Sequence, residues 1–292
     1  MISSDDFFRD GGLVVRGLLS GSELNTIRDH ARRLQDQVRR DLPRGTRYWD
    51  GPGVRGDDIS PERKPDCTWG VNEIDRPELF DPVLVNVLGR PRVLEAMESL
   101  LGPEIRVWGI KMLWAPRLTS YDLHWHRDQV KRDLYDFVHH KPAAQDHIQF
   151  NLALEPDDSF IWVPGSHRRP LTSREWDALS ERPPPDLPGQ QVAELGPGDA
   201  VFMDAHALHR GRCPAGAPRL SLHYSAQAQW VPFKAWDRAD FHDWITSEPF
   251  LSRLDPPVRR MYERMAEAET TDDSMSFLKA EAARHGWSPA GG

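Results

Sequence analysis

The chain has 292 residues, 39% hydrophobic and 28% charged, with eleven tryptophans; this excludes a disordered protein and predicts a single domain. A formal net charge of -8 excludes nonspecific nucleic-acid binding as the main role, because phosphate contact needs a basic stripe, and the pairs Arg32-Arg33 and Arg39-Arg40 read as a solvated helix face. Cys67 and Cys213 are too few for a disulfide framework or a cysteine-based zinc site, and no segment reads as a leader or a membrane span, so a soluble cytoplasmic protein is expected.

In chain order, Gly11 to Leu19 is a short β-type run with glycine at both ends. Ser20-Gly-Ser-Glu23 then signals a helix N-terminus, and Leu24, Ile27, Ala31, Leu34 and Val38 recur at helical spacing to about residue 40. From Asp41 to Asp75 the pattern breaks into proline, glycine and charge around Tyr48, Trp49 and Trp69. Such a stretch is either a lid or a wrap packed by its own aromatics. Pro91 to Leu101 is a second helix, closed by Gly102-Pro103.

The period then changes to two. Ile105 to Trp114 reads as a strand, as does His147 to Leu154, whose His147, Gln149 and Asn151 share one face between apolar flanks and so point to a polar cavity. Further strands follow at Phe160–Val163, Gln191–Leu195, Ala200–Met203 and Leu220–Tyr224. Short strands with Pro/Gly turns predict a jelly roll or small barrel, mainly β with flanking helices. The expected layout is an N-terminal part over 1–104 with the lid-like loop, a jelly-roll core over 105–230 and a helical segment over 231–292, in which Pro257 to Glu269 is the clearest helix and Ser288 to Gly292 a frayed tail.

His126-Arg-Asp128 carries the chemistry. On an extended strand side chains at i and i+2 share a face, so an imidazole and a carboxylate can reach one ion. The third ligand is expected from His209, at the end of the apolar run after the turn Gly196-Pro-Gly-Asp199. His206 is the alternative, but three residues earlier on a strand it faces the other way. Two histidines and one carboxylate leave coordination positions open, which suits non-haem Fe(II). Arg219 lies on the apolar strand Leu220 to Tyr224, where a buried guanidinium needs an anion: a bound carboxylate, or an Asp or Glu of the chain. The other histidines have plainer readings: His124 as packing or a substrate contact, His167 as part of a Pro-Gly-Ser-His turn, and His139-His140 as exposed loop.

Phe8-Arg-Asp-Gly-Gly-Leu-Val-Val15, His126-Arg-Asp128, Val163-Pro-Gly-Ser-His167, Leu208-His-Arg-Gly211 and Arg219-Leu-Ser221, in that order, resemble the phytanoyl-CoA dioxygenase family of Fe(II)/2-oxoglutarate-dependent oxygenases. The resemblance implies a double-stranded β-helix of cupin-like jelly-roll type with His126, Asp128 and His209 as metal ligands, and Fe(II), 2-oxoglutarate and O2 as cofactor and cosubstrates. It implies that Arg219 grips the distal carboxylate of 2-oxoglutarate, with Ser221 on the same face by parity. Lys111 and Asn151 fall where family members contact the cosubstrate; Lys111 could equally reach solvent. The chain departs from the family at Asp157-Asp-Ser159, at Ala115-Pro116 and at Arg210, which touches loops and pocket wall. Asp128 stands where related halogenases have a small residue, so the implied outcome is hydroxylation or oxidative cyclisation of a small-molecule C–H bond. Trp-rich segments with many charges suit a polar, ring-containing substrate such as a sugar-bearing intermediate of antibiotic biosynthesis, with acyl-CoA and amino acids open. Two other classes remain: a cupin-like metal isomerase or hydrolase, and a silent small-molecule-binding protein.

Overall fold

A computed structural model describes residues 4–48, 58–128, 147–229 and 241–271. Trp49, His139-His140 and Ser288 to Gly292 lie outside them. Eleven strands are described: β1 (Gly12–Val15), β2 (Thr46–Tyr48), β3 (Thr68–Asn72), β4 (Ile105–Trp114), β5 (Tyr121–Asp122), β6 (His147–Ala153), β7 (Phe160–Trp162), β8 (Gln191–Val192), β9 (Ala200–Asp204), β10 (His209–Cys213) and β11 (Leu220–Ala228). They form a seven-stranded sheet in the order β1-β9-β6-β11-β4-β3-β2 and a four-stranded sheet in the order β5-β10-β7-β8. Every pairing among the described residues is antiparallel. This is the jelly roll that the strand pattern predicts.

Alternation decides which face of the larger sheet meets what. Ile110, Met112, Phe150, Leu152, Phe202, Leu222 and Tyr224 point to the outer face, where they join the core residues of the helices Gly21–Asp41, Pro91–Leu101 and Pro256–Thr271. In the first helix the buried residues are the five predicted from spacing, Leu24, Ile27, Ala31, Leu34 and Val38. The second ends as predicted, with the Gly102 N–H donating to Glu98 O at 2.9 Å. Phe150 stacks between Phe202 and Tyr224, with ring centroids 4.8 and 4.9 Å away. No described helix is long and apolar enough to cross a membrane.

The inner face packs on the smaller sheet through Ala153, Phe160, Trp162, Val201 and Met203, and through Trp69, Leu113, Tyr121 and Cys213. Between these two apolar groups the register lines up Asn151, His223, Lys111 and Asn72 across β6, β11, β4 and β3. A β-bulge lies in β4: Ser225 pairs with Gly109 but Ala226 with Val107, which leaves Trp108 as an extra residue. The bulge reverses parity, so Val107 and Ile110 both face the helices while Arg106 and Lys111 both face inward.

The stretch from Asp41 to Asp75 is more regular than its composition suggests. It contributes β2 and β3 to one edge of the larger sheet and a short helix, Lys64–Cys67. Trp69 turns inward onto Tyr121, with centroids 4.9 Å apart. Its described parts are therefore a packed wrap; residues 49–57 lie outside the description.

Candidate metal centre

The donor histidines are rungs of one ladder. His126 N–H donates to His209 O and His209 N–H to His126 O, each at 2.9 Å, while Asp128 N–H donates to Ala205 O at 3.1 Å. This pins the metal segment to the start of β10. His126 Nε2 lies 3.6 Å from Asp128 Oδ1, and His209 Nε2 lies 3.8 Å from Asp128 Oδ2. The three donor atoms fall within 4.8 Å of one another. First-row ions bind such donors at about 2.0–2.2 Å, which sets donors on one ion roughly 3–4 Å apart, so the arrangement fits a metal.

The surroundings orient each donor. Nδ1 of His126 lies 2.8 Å from His124 O, and Nδ1 of His209 lies 2.8 Å from Ala207 O. Donation of Nδ1–H to a carbonyl leaves the Nε2 lone pair facing the centre. The Gln149 amide donates to Asp128 Oδ2. Burial, and then His209, depress His126 to about 4, so its ring is neutral at pH 7. Burial opposes ionisation of Asp128, but His209, Lys111 and His126 outweigh it and hold the carboxyl well below its ordinary value. The His126 and Asp128 side chains keep 29% and 23% exposure, so the centre is open on one side.

A cavity of about 130 Å³ runs from these donors between the sheets, with Arg47, Lys111, Asn151, Arg219 and His223 on its polar wall. Arg219 Nε donates to Asp157 Oδ2 at 3.0 Å, and both side chains are almost fully buried. The chain's own carboxylate thus answers one edge of the guanidinium, while the residue still lines the cavity. Burial draws Arg219 down to about 9, which leaves it protonated at neutral pH, and raises Asp157. Arg47 Nε and Nη2 both donate to the neutral Asn72 Oδ1, at 3.0 and 2.7 Å, and its guanidinium lies 4.9 Å over the Trp69 ring. Burial, then repulsion from Arg219, Lys111 and Arg47, keeps His223 well below its ordinary value and neutral. Trp69 Nε1, Tyr121 Oη and Asn151 Oδ1 are buried in this wall without hydrogen-bond partners among the described residues. Three cations and the two unanswered donors Trp69 Nε1 and Tyr121 Oη around so small a space describe a site for a small anion.

The expected residues do not all play their expected parts. Lys111 and Asn151 line the cavity, but Ser221 does not: its Oγ lies 3.1 Å from His223 Nε2, so it braces a residue beside Arg219. His206 is not among the clustered donors; its N–H donates to Asp204 Oδ1 at 2.8 Å. His167 is structural, with Nε2 3.1 Å from Phe8 O and its ring against Gly11, where a Cβ would lie 2.4 Å from Nδ1. His124 is exposed and serves the centre through its carbonyl. Arg210 bonds Asp122 at 2.8 Å and Asp186 at 2.6 Å and lies 5.1 Å over Trp125, fixing the outer side of the smaller sheet.

Four residues escape the sequence reading: Arg47, Gln149 as a partner of Asp128, Asp157 and His223. The parity of Gln149 with Asn151, and of His223 with Arg219, was a usable signal. Arg47 and Asp157 carry none: the first lies on a short strand hidden in a proline- and charge-rich stretch, the second between β6 and β7. On its open side the centre borders a second cavity of about 640 Å³, lined by His124, Trp125, Arg127, Trp176, Leu179 and Arg182 among others.

The sequence model of the phytanoyl-CoA dioxygenase family matches residues 7–213. Among solved structures, AviO1 from Streptomyces viridochromogenes Tue57 is similar with a TM-score of 0.56 at 17% identity, over 77% of this chain and 92% of its own. HygX from Streptomyces hygroscopicus, solved with nickel and 2-oxoglutarate, gives a TM-score of 0.54 at 18% identity over 79% and 89%. The non-haem α-ketoglutarate-dependent epimerase SnoN from nogalamycin biosynthesis gives 0.52 at 19% over 77% and 79%. At these identities the likeness establishes the fold. No curated protein matches the chain.

Proposed function

The chain belongs to the phytanoyl-CoA dioxygenase family, and on that premise we propose that it is an Fe(II)/2-oxoglutarate-dependent oxygenase acting on a C–H bond of a small molecule. The observation that carries this reading is the clustering of His126, Asp128 and His209 at one end of a cavity walled by Arg47, Lys111 and Arg219. Bound there, Fe(II) with 2-oxoglutarate and O2 supplies an oxidant strong enough to attack an unactivated C–H bond.

The chain's residues do the holding and orienting. His126, Asp128 and His209 would hold the metal, with the two Nδ1–H donations and the Gln149 amide fixing their angles. Arg219, kept in place by Asp157, presents a guanidinium to the distal carboxylate of the cosubstrate, and Lys111 and Arg47 supply further positive charge. Trp69 Nε1 and Tyr121 Oη supply hydrogen-bond donors with no other partner among the described residues. The apolar packing of Phe160, Leu113 and Met203 around the same cavity keeps bulk water out. The larger cavity beyond His126 and Asp128 receives the substrate, and its Trp125, Trp176, Arg127 and Arg182 favour a polar, ring-containing molecule such as a sugar-bearing secondary metabolite.

The test needs no substrate: Fe(II) and then 2-oxoglutarate are added to metal-free protein without oxygen, and the visible charge-transfer band of the chelate is recorded, with His209→Ala as control. A band in the wild type that the control lacks is the expected result. Iron binding without a band would assign the chain to the cupin-like metal enzymes that use no 2-oxoglutarate.

A further inference from the structure

The inner face of the larger sheet continues past the metal donors. Gln149, which holds Asp128, pairs with Ser225. Two residues further along, His147, Gln227 and Arg106 stand in register across β6, β11 and β4. Strands rise about 3.3 Å per residue, so this row lies roughly 7 Å beyond the Gln149 row, on the side away from Arg219. Trp108 stands edge-on to His147 at this end, with ring centroids 4.0 Å apart.

Arg106 is only 2% exposed. Its Nε and Nη2 both donate to Gln227 Oε1, at 3.1 and 2.9 Å, and among the described residues no carboxylate pairs with it. Three other buried arginines pair with carboxylates: Arg76 with Glu73 and Glu78, Arg210 with Asp122 and Asp186, and Arg219 with Asp157. Burial lowers Arg106 only to about 10, so it is charged at neutral pH. It faces inward only because β4 carries the bulge at Trp108; in a regular strand it would face the helices. A buried cation whose acceptor among the described residues is a neutral amide is destabilising by itself. A strand that breaks register to aim one at the inner face is built to meet an anion there.

We propose that Arg106 is the anion-binding residue of the substrate site, and that the substrate carries a carboxylate or phosphate held by this guanidinium with Gln227 beside it. The inference rests on the oxygenase reading, which gives the cavity near Arg219 to the cosubstrate; Arg106 does not line the larger cavity beyond His126 and Asp128, so it is the substrate's acidic end alone that would reach inward to this row. It places the reacting C–H bond within a short span of the substrate's acidic group. It narrows the substrate from polar to acidic.

The test uses the full chain loaded with Fe(II) and saturating 2-oxoglutarate without oxygen, so that the cosubstrate cavity is filled. Benzoate, inorganic phosphate and, as a neutral control, benzamide are titrated into wild type, Arg106→Lys and Arg106→Gln, with the thermal midpoint and the charge-transfer band recorded. Benzoate or phosphate is expected to raise the midpoint and displace the band while benzamide does neither, and the anion that responds identifies the acidic group. Arg106→Lys keeps a weakened response, and Arg106→Gln binds at least about tenfold more weakly, the loss of a charge-assisted hydrogen bond. Equal binding by wild type and Arg106→Gln, equal action of benzoate and benzamide, or no response of the wild type to either anion overturns the proposal. A second measurement needs no probe. Metal-free Arg106→Met/Gln227→Leu, which removes the charge together with the amide it bonds, is expected to unfold at or above the wild-type midpoint; a midpoint several degrees lower would make the pair a stabilising one and overturn the proposal. Absence of the band in wild type defeats the oxygenase reading instead, and the metal-free midpoint still decides the role of Arg106.

Discussion

Replacing Arg219 by lysine and by alanine separates its two roles. The guanidinium spends Nε on Asp157, 3.0 Å away, has Nη2 3.5 Å from His223 Nε2, and lines the cavity. Lysine keeps the charge and can pair with Asp157, but one ammonium cannot also bind a carboxylate through two parallel hydrogen bonds. Arg219→Lys should therefore keep stability within about 1 kcal/mol and lose one charged hydrogen bond to 2-oxoglutarate, about 1.5–3 kcal/mol, or roughly 10- to 100-fold in Kd. Arg219→Ala removes more. At 3.0 Å the pair attracts by about 5 kcal/mol at an effective dielectric of about 20. Stranding the buried Asp157 carboxylate costs about 3–5 kcal/mol of stability. Urea unfolding measures the second effect, and anaerobic titration of 2-oxoglutarate into the Fe(II) protein, followed at the charge-transfer band, measures the first. Wild-type affinity in Arg219→Lys would refute the bidentate argument, and wild-type stability in Arg219→Ala would refute the ion pair.

Gln149→Leu should weaken metal binding about 10- to 100-fold, because the Asp128 carboxylate loses the amide that orients it; calorimetric titration with a redox-inert divalent ion checks this, and unchanged affinity counts against the role of Gln149. Arg47→Gln keeps a donor for Asn72 but removes a cavity cation, so the Kd for 2-oxoglutarate should rise about tenfold while metal affinity stays constant. A loss of metal affinity instead would mean that Arg47 acts on the donors. Arg210→Ala should cost about 2 kcal/mol in urea unfolding, less than a fully buried pair, since Asp122 and Asp186 reach solvent. It should leave the charge-transfer band in place, and a lost band would show that Arg210 shapes the centre.

The centre was legible because its spacing is a property of extended chain. His126 and Asp128 share a face at i, i+2, and the alternation of His147, Gln149 and Asn151 announced a polar interior before any partner was known. The five helix positions from Leu24 to Val38 were legible for the same reason at a different period. What sequence left hidden is what depends on strands meeting. Arg47 reaches the cavity because β2 and β3 extend the sheet beyond β4, and nothing in a proline- and charge-rich stretch foretells that pairing. Asp157 reads as a loop departure until the fold sets it beside Arg219. Ser221 has the expected face, but its hydroxyl meets His223 Nε2 at 3.1 Å and does not line the cavity. The bulge at Trp108 defeats parity counting outright, since it puts Arg106 and Lys111, five residues apart, on one face.

The mutual hydrogen bonds between the His126 and His209 backbones bear on what sets the bite of the centre. Two of the three clustered donors belong to a single antiparallel rung, so the gap between their imidazoles is set by sheet spacing. Asp128 is held differently: its N–H donates to Ala205 O and its carboxylate accepts from the Gln149 amide, so the third donor is placed by a side-chain contact to β6 and not by the rung.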